Sequence, residues 1–389
     1  MNARQRSKRK IFGLSLPQAG LLAAFGVAAF ALMGLGGALM IRDSLVGDSL
    51  PTLQPTSLLR VAANLAPGPT PFPTAPGGGS GWLGFISDRD GNFEIYVASL
   101  DNFATVNLST DPSWDADPAW APGLQKIAFA SNRDGNFDIW LMNLNGSGQF
   151  NLTRSPANDR FPVWSPDGTR IAFQSDYNGN SDIVVVKIFD GVQTNLTNSP
   201  TNEFGPAWSP DGSRIAFTSI GSAGGEAFAV NADGSGLVNL TNTLADDLFS
   251  AWSPDGSRLT FESDRDGNRE LYVAAPDSGG GFGLINLTKD EADDTFSAWS
   301  PDGTRIAFTS FRDGNQEIYV MNKDGSEQRR LTDNPAGDWS PSWSPDGQRI
   351  AFQSNRDGNQ EVYLIRPDGS GLLNLTNNPA DDLIYGWQP

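Results

Sequence analysis

From residue 81 onward the chain alternates short apolar runs with polar turn residues. Runs such as Ile306-Ala307-Phe308 and Ile318-Tyr319-Val320 are apolar at consecutive positions. A sheet with one wet face alternates apolar and polar side chains, so these runs predict strands covered on both faces. Between them stand Ser-Pro-Asp-Gly and Asp-Gly-Asn turns. Gly accepts positive φ without steric cost and Pro pre-sets its own φ, so the strands must reverse at fixed places. Each unit therefore reads as four strands: one around a Trp, one of the type Arg-Ile-Ala-Phe, one of the type Glu-Ile-Tyr-Val, and a short one at Asn-Leu-Thr.

The unit repeats. Trp stands at 120, 164, 208, 252, 299, 343 and 387, and Phe at 85, 129, 173, 217, 261, 308 and 352. Both series advance by 44 residues except for one step of 47. Two locked series of seven define repeats, and four-stranded repeats of about 40–45 residues are the signature of a β-propeller. The chain enters this region at Leu83 on a second strand and reaches Trp387 on a first strand. Ile384 to Trp387 is thus expected to pair with Leu83 to Ser87 and close a ring of seven blades. Closure removes an open strand edge that would invite aggregation.

The first 80 residues read differently. Arg4, Arg6, Lys8, Arg9 and Lys10 form a basic tail over 1–10, and no charge follows from Ile11 to Ile41. That stretch is long enough to cross a bilayer as a helix and longer than the apolar core of a cleaved signal peptide. The positive-inside bias places the N-terminus in the cytoplasm and the rest in the periplasmic or extracellular space. Residues 42–80 are rich in Pro, Thr, Ser and Gly, which predicts an unfolded tether. The expected organisation is tail 1–10, signal-anchor helix 11–41, linker 42–80 and propeller 81–389.

Composition narrows the chemistry. There is no Cys and no His, so thiol or imidazole nucleophiles, Ser-His-Asp triads and thiolate or His metal sites cannot be built from this chain. No catalytic residue, metal or cofactor is therefore expected. The net charge of −18 is unevenly spread: residues 1–80 carry seven Lys/Arg against Asp43 and Asp48, leaving 20 Lys/Arg against 43 Asp/Glu in the remainder. So acidic a surface repels phosphate backbones, which argues against nucleic acid as a partner.

The segments Trp164 to Phe173 and Trp299 to Phe308, Trp-Ser-Pro-Asp-Gly-x-Arg-Ile-Ala-Phe, resemble the TolB-type, WD-like propeller repeat, and the likeness covers about four fifths of the chain. Such blades occur in TolB, in the propeller halves of prolyl oligopeptidase-like proteases, in oligogalacturonate lyases and in envelope proteins. The resemblance implies a fold more than a function. TolB-like proteins carry an N-terminal α/β domain and six blades, where seven are expected here. The peptidases use a hydrolase domain with Ser and His, and none is expected after Pro389. The lyases are associated with His-bearing metal sites.

Two carboxylate series keep the same rhythm. Asp115, Asp159, Glu203, Asp247, Asp294, Asp338 and Asp382 lie five residues before each Trp. Glu94, Asp138, Asp182, Glu226, Glu270, Glu317 and Glu361 lie nine residues after each Phe. Antiparallel pairing brings both to one face, the top. Rings of acids at a channel mouth would receive a cation or a basic peptide. The alternative is that each acid accepts turn N–H groups or pairs with a turn Arg. It is favoured, because a residue repeated in every blade answers to folding. Arg89, Arg133, Arg265, Arg312 and Arg356 are five against fourteen acids, so some attractive field should survive.

In the two remaining blades Tyr177 and Gly221 replace Arg, and Ile220 to Gly225 replaces the whole turn motif. Loops that leave the scaffold pattern often carry function, so a partner site is expected over this sector. Asp88-x-Asp90-x-Asn92-x-Glu94 imitates a calcium loop but lacks its sixth-place glycine and distal Glu, and reads as a hairpin turn. The Asn-Leu-Ser/Thr triplets match glycosylation acceptors, yet their 44-residue rhythm ties them to the fourth strand. The resulting expectation is a membrane-anchored scaffold that binds a protein, peptide or glycan of the envelope. The alternative is a carbohydrate-active lyase or hydrolase using two channel-face carboxylates.

Overall fold

A computed structural model describes residues 81–388, apart from 124, 223 and 278–282. The predicted tail 1–10, membrane helix 11–41 and linker 42–80 lie outside the described residues. Within the described residues no helix is long and apolar enough to cross a membrane. Among the described residues twenty-eight strands form seven antiparallel four-stranded sheets, the blades expected from the Trp series.

Blade two shows the pattern: β4 (Asp115–Trp120), β5 (Lys126–Ser131), β6 (Asp138–Asn143) and β7 (Phe150–Asn151) lie side by side in that order. The innermost strands of the next five blades are β8 (Asp159–Trp164), β12 (Asn202–Trp208), β16 (Asp247–Trp252), β20 (Asp294–Trp299) and β24 (Asp338–Trp343). Blade one is built from both ends of the ring. There β28 (Asp382–Trp387) pairs with β1 (Trp82–Ser87), in register from Leu83 opposite Trp387 to Ser87 opposite Asp382. Innermost strands follow one another around the ring, β28 packing on β4 and bonding β24 through Trp387, and so surround the central axis where a propeller has its channel.

The turns behave as their residues require. At the bottom, the Ser165 hydroxyl donates to Asp167 and accepts from the Arg170 N–H, while Gly168 takes φ +68° and donates its N–H to the Ser165 carbonyl. An L side chain at Gly168 would be strained, which is why the motif ends in Gly. The core lies between blades. Residues from adjacent sheets, such as Leu141 and Leu152 with Trp164 and Phe173, form one cluster, and all seven repeat Phe side chains are fully buried. Five repeat Trp residues add a directional tie. The Trp164 indole N–H donates to the Ala119 carbonyl at 3.0 Å, and Trp208, Trp252, Trp343 and Trp387 each bond the preceding innermost strand in the same way.

Each innermost strand also carries a β-bulge about three residues before its Trp. The extra residue breaks the two-face alternation and re-aims nearby side chains. Asp117 and Phe161 take φ +53° and +54° there, a conformation that few L residues adopt unless the surroundings impose it.

Candidate functional site

The acid series before each Trp stands at the start of the innermost strands, and its side chains are almost completely buried, none exposed by more than 1%. Each acid lies opposite a Ser of the next strand, as Asp115 opposite Ser131 and Asp159 opposite Ser175. In five blades a turn Arg completes the arrangement. Arg89, Arg133, Arg265, Arg312 and Arg356 reach Asp382, Asp115, Asp247, Asp294 and Asp338 at 2.7–3.0 Å. Each Nε also donates to the blade's Ser, and each guanidinium lies over the repeat Phe and over a Tyr or Trp of the third strand. These five acids are thus clasped inside the scaffold and do not form an open ring of charge.

Burial pushes Asp115 and Asp294 up to about 6 in spite of their arginines. Two blades lack the clasp. Asp159 accepts from the Ser175 hydroxyl at 2.6 Å, its second oxygen has no partner, and burial pushes its carboxyl up to about 7. Tyr177 stands at the Arg position of that blade, half-buried. Glu203 takes the hydroxyls of Ser199, Thr201 and Ser219 on Oε1 alone, leaving Oε2 buried and unpartnered. The structure therefore brings the predicted site residues to one level of the ring and divides them into five clasped and two unclasped.

The other acid series stitches the third strand to the fourth. Each member accepts the hydroxyl of the Ser or Thr that closes the fourth-strand triplet, Asn-Leu-Ser/Thr in six blades and Arg330-Leu331-Thr332 in the other, and the backbone N–H two residues further on. Glu226 with Thr241 and Thr243, and Glu317 with Thr332 and Asn334, show this plainly. The Asn of the triplet is equally engaged: Asn107 Oδ1 accepts the N–H groups of Ser109 and Thr110, fixing a turn in which Thr110 has φ +48°. The calcium-like run disperses its ligands. The Asp88 carboxylate accepts the Asp381 N–H, Asp90 accepts from Tyr96 and Asn107, Asn92 donates to the Asp111 and Ser113 carbonyls, and Glu94 accepts from Ser109.

What the repeats hide is the wall of the channel. Phe161, Phe204, Phe249, Phe296, Trp339 and Tyr385 lie at or beside the bulges and stay half-buried, in contrast to the repeat Phe residues. Arg160 lies over the rings of Phe137 and Phe161 at 4.6 and 4.9 Å and donates to Asp117 at 2.9 Å. The Tyr385 hydroxyl donates to the same carboxylate at 2.5 Å, joining three consecutive innermost strands across the closure; burial and the Asp117 charge hold that phenol well above its usual value. Further round, Glu262 accepts the Phe296 N–H at 2.8 Å and lies 3.6 Å from Arg269, and burial pushes it up to about 7. Sequence periodicity passed over these residues because they do not repeat. The one available clue was that variability between two invariant landmarks, the acid and the Trp.

This architecture defines a β-propeller with a non-repeating aromatic channel wall. A profile of the TolB beta propeller domain matches residues 116–199, 162–297 and 286–383, and the chain belongs to that family. No curated protein matches it significantly. Among solved structures it is similar to TolB from Acinetobacter baumannii, with 21% identity and a TM-score of 0.53, over 81% of this chain and 68% of that one. It is also similar to an oligogalacturonate lyase from Vibrio parahaemolyticus, with 17% identity and a TM-score of 0.60, over 73% and 86%. A puromycin-hydrolyzing peptidase of Mycobacterium tuberculosis matches with 17% identity and a TM-score of 0.63, over 86% of this chain and 56% of that one. At such identities the likeness is one of fold.

Proposed function

We propose that this protein is an extracytoplasmic binding scaffold, tethered by the helix at 11–41 with its N-terminus in the cytoplasm, that receives a protein or peptide of the cell envelope at the top of its channel. One observation carries the reading. The repeated carboxylates are engaged in internal bonds, whereas the non-repeating residues of the innermost strands include six aromatic side chains that stay half-buried, with the Arg160 guanidinium beside one of them. Aromatic faces supply large contact area at low conformational cost, and the acidic surface favours approach by basic partners. The basic cluster before an uncharged stretch supports the tether, to be checked by alkaline washing of membranes and protease digestion of intact cells.

A carbohydrate-active enzyme draws support from Asp159 and Glu262, whose carboxyls near 7 suit a general acid. Both are closed off, with 0% and 2% of their surface exposed, which favours binding over turnover. The full-length protein should select peptides from an envelope-derived peptide array. Substituting Phe161 and Trp339 together by Ala should weaken that capture at least about tenfold, as loss of two aromatic anchors predicts, while the protein keeps a cooperative thermal transition. Undiminished capture by the double variant removes the channel from the proposal. Selection of glycans instead, or release of reducing ends from polysaccharides, replaces the ligand class or the activity.

A further inference from the structure

The unclasped blade four repeats a cradle that elsewhere holds a guanidinium. In the five clasped blades the floor is a pair of rings, such as Phe308 and Tyr319 at 5.6 Å, and the back wall is the buried acid with its Ser. The arginines in these cradles keep 12–20% of their side-chain surface exposed, so each cradle opens to solvent at the top. Blade four has the same floor, Phe217 stacked on Phe228 at 5.9 Å and 14°, and the same wall in Glu203 with Ser219. Gly221 stands where Arg would be.

Three further observations set this cradle apart from the five clasped ones. Phe228 is half-buried, whereas Tyr96, Tyr272, Tyr319 and Tyr363 at its position are buried under their arginines. Glu203 alone of the seven is a Glu, one methylene longer than Asp. All three of its hydrogen bonds fall on Oε1, and Oε2 is buried without a partner, so a donor reaches it only by entering the cradle. Beside the cradle, Thr243 donates its N–H to Glu226, and the next residue, Leu244, is 91% exposed, the most exposed large apolar side chain among the described residues.

We propose that blade four is a receptor for an arginine side chain presented by a peptide. The incoming guanidinium stacks on Phe228, donates to Glu203 Oε2, and so occupies the place that the chain's own Arg fills in five other blades. A residue flanking that arginine covers Leu244. Planar shape and forked donors match ring and carboxylate together, whereas an ammonium is a compact point charge. This rests on the binding-scaffold reading and names the chemistry of what is bound.

The test is calorimetric titration of the full-length protein in detergent with N-acetyl-arginine amide and N-acetyl-lysine amide. The arginine amide should saturate one site, and the lysine amide should bind at least about tenfold more weakly. Glu203→Gln and Phe228→Ala should each weaken arginine binding at least about tenfold with the fold intact by circular dichroism. No saturation by arginine amide on the wild type, equal binding of lysine amide, or wild-type binding by both variants overturns the assignment. The wild-type comparison decides the matter even where a variant does not fold. Peptide capture that survives while arginine amide fails to bind sinks this inference and leaves the channel proposal standing.

Discussion

Asp159 and Asp115 occupy the same place in consecutive blades, and their surroundings differ chiefly in whether an Arg is present. Both carboxyls are buried, and burial raises both. Arg133 offsets part of that for Asp115, while Asp159 has hydroxyls and no cation. The sign of the linkage follows. Below the unfolded value, near 4, Asp159 is protonated in both states and costs nothing. As pH rises from about 4 to about 7 the unfolded chain releases a proton that the folded chain retains, so stability falls across that window and then levels. Asp159→Asn keeps an oxygen for Ser175 and cannot ionise. Its unfolding free energy, from urea titration, should match wild type at pH 4 and exceed it at pH 8 by on the order of 4 kcal/mol, at about 1.4 kcal/mol per unit. A pH-independent difference would show that Asp159 ionises freely in the fold. The positions of these acids were legible in the sequence, since their spacing is strict. Their burial was not, because a repeat gives a residue's height on a blade and leaves open whether a neighbouring blade covers it.

At the scale of the strand, the repeat motif was a sound guide wherever it recurred, and the informative elements are those that leave it. Position 84 is such a place: β1 carries Gly84-Phe85 where six other blades carry Ala or Thr before Phe. The reason lies across the blade interface. A Cβ on Gly84 would stand 2.7 Å from Cζ2 of Trp120, and the Trp120 indole N–H lacks the carbonyl bond that five of its counterparts make. Trp120 is thus pressed onto the backbone of the closing blade, an arrangement that no single-blade pattern foretells. Gly84→Ala should cost about 1–3 kcal/mol through overpacking, read as a lower melting temperature. The same substitution combined with Trp120→Phe should recover part of the loss, since the smaller ring vacates the Cζ2 position. An unchanged melting temperature for Gly84→Ala would mean that the interface has slack the structure does not show. The bulges of the innermost strands were equally hidden, because a bulge adds one residue without changing the 44-residue period.

For the molecule as a whole, seven blades become one object only through β28. The phase of the Trp and Phe series made this closure predictable, since a first strand at one end of the region and a second strand at the other can complete only one sheet. Removing residues 382–389 would strip the inner edge of β1 and leave Arg89 without Asp382. It would also withdraw Leu383, Ile384 and Trp387, all buried in the cluster between blades or beside it. At about 2–3 kcal/mol for each such side chain, the loss approaches the whole stability of a typical domain, about 5–15 kcal/mol. The truncated protein should therefore lose its cooperative thermal transition and associate at rising concentration through the bared strand edge. Light scattering with circular dichroism reads both effects. A synthetic peptide of residues 376–389, added during refolding, should restore a cooperative melt by supplying the missing strand in trans. A truncated chain that stays monomeric and melts as wild type would mean that the remaining six complete blades hold the ring without the seventh, and that the shared blade is not what makes the propeller a single unit.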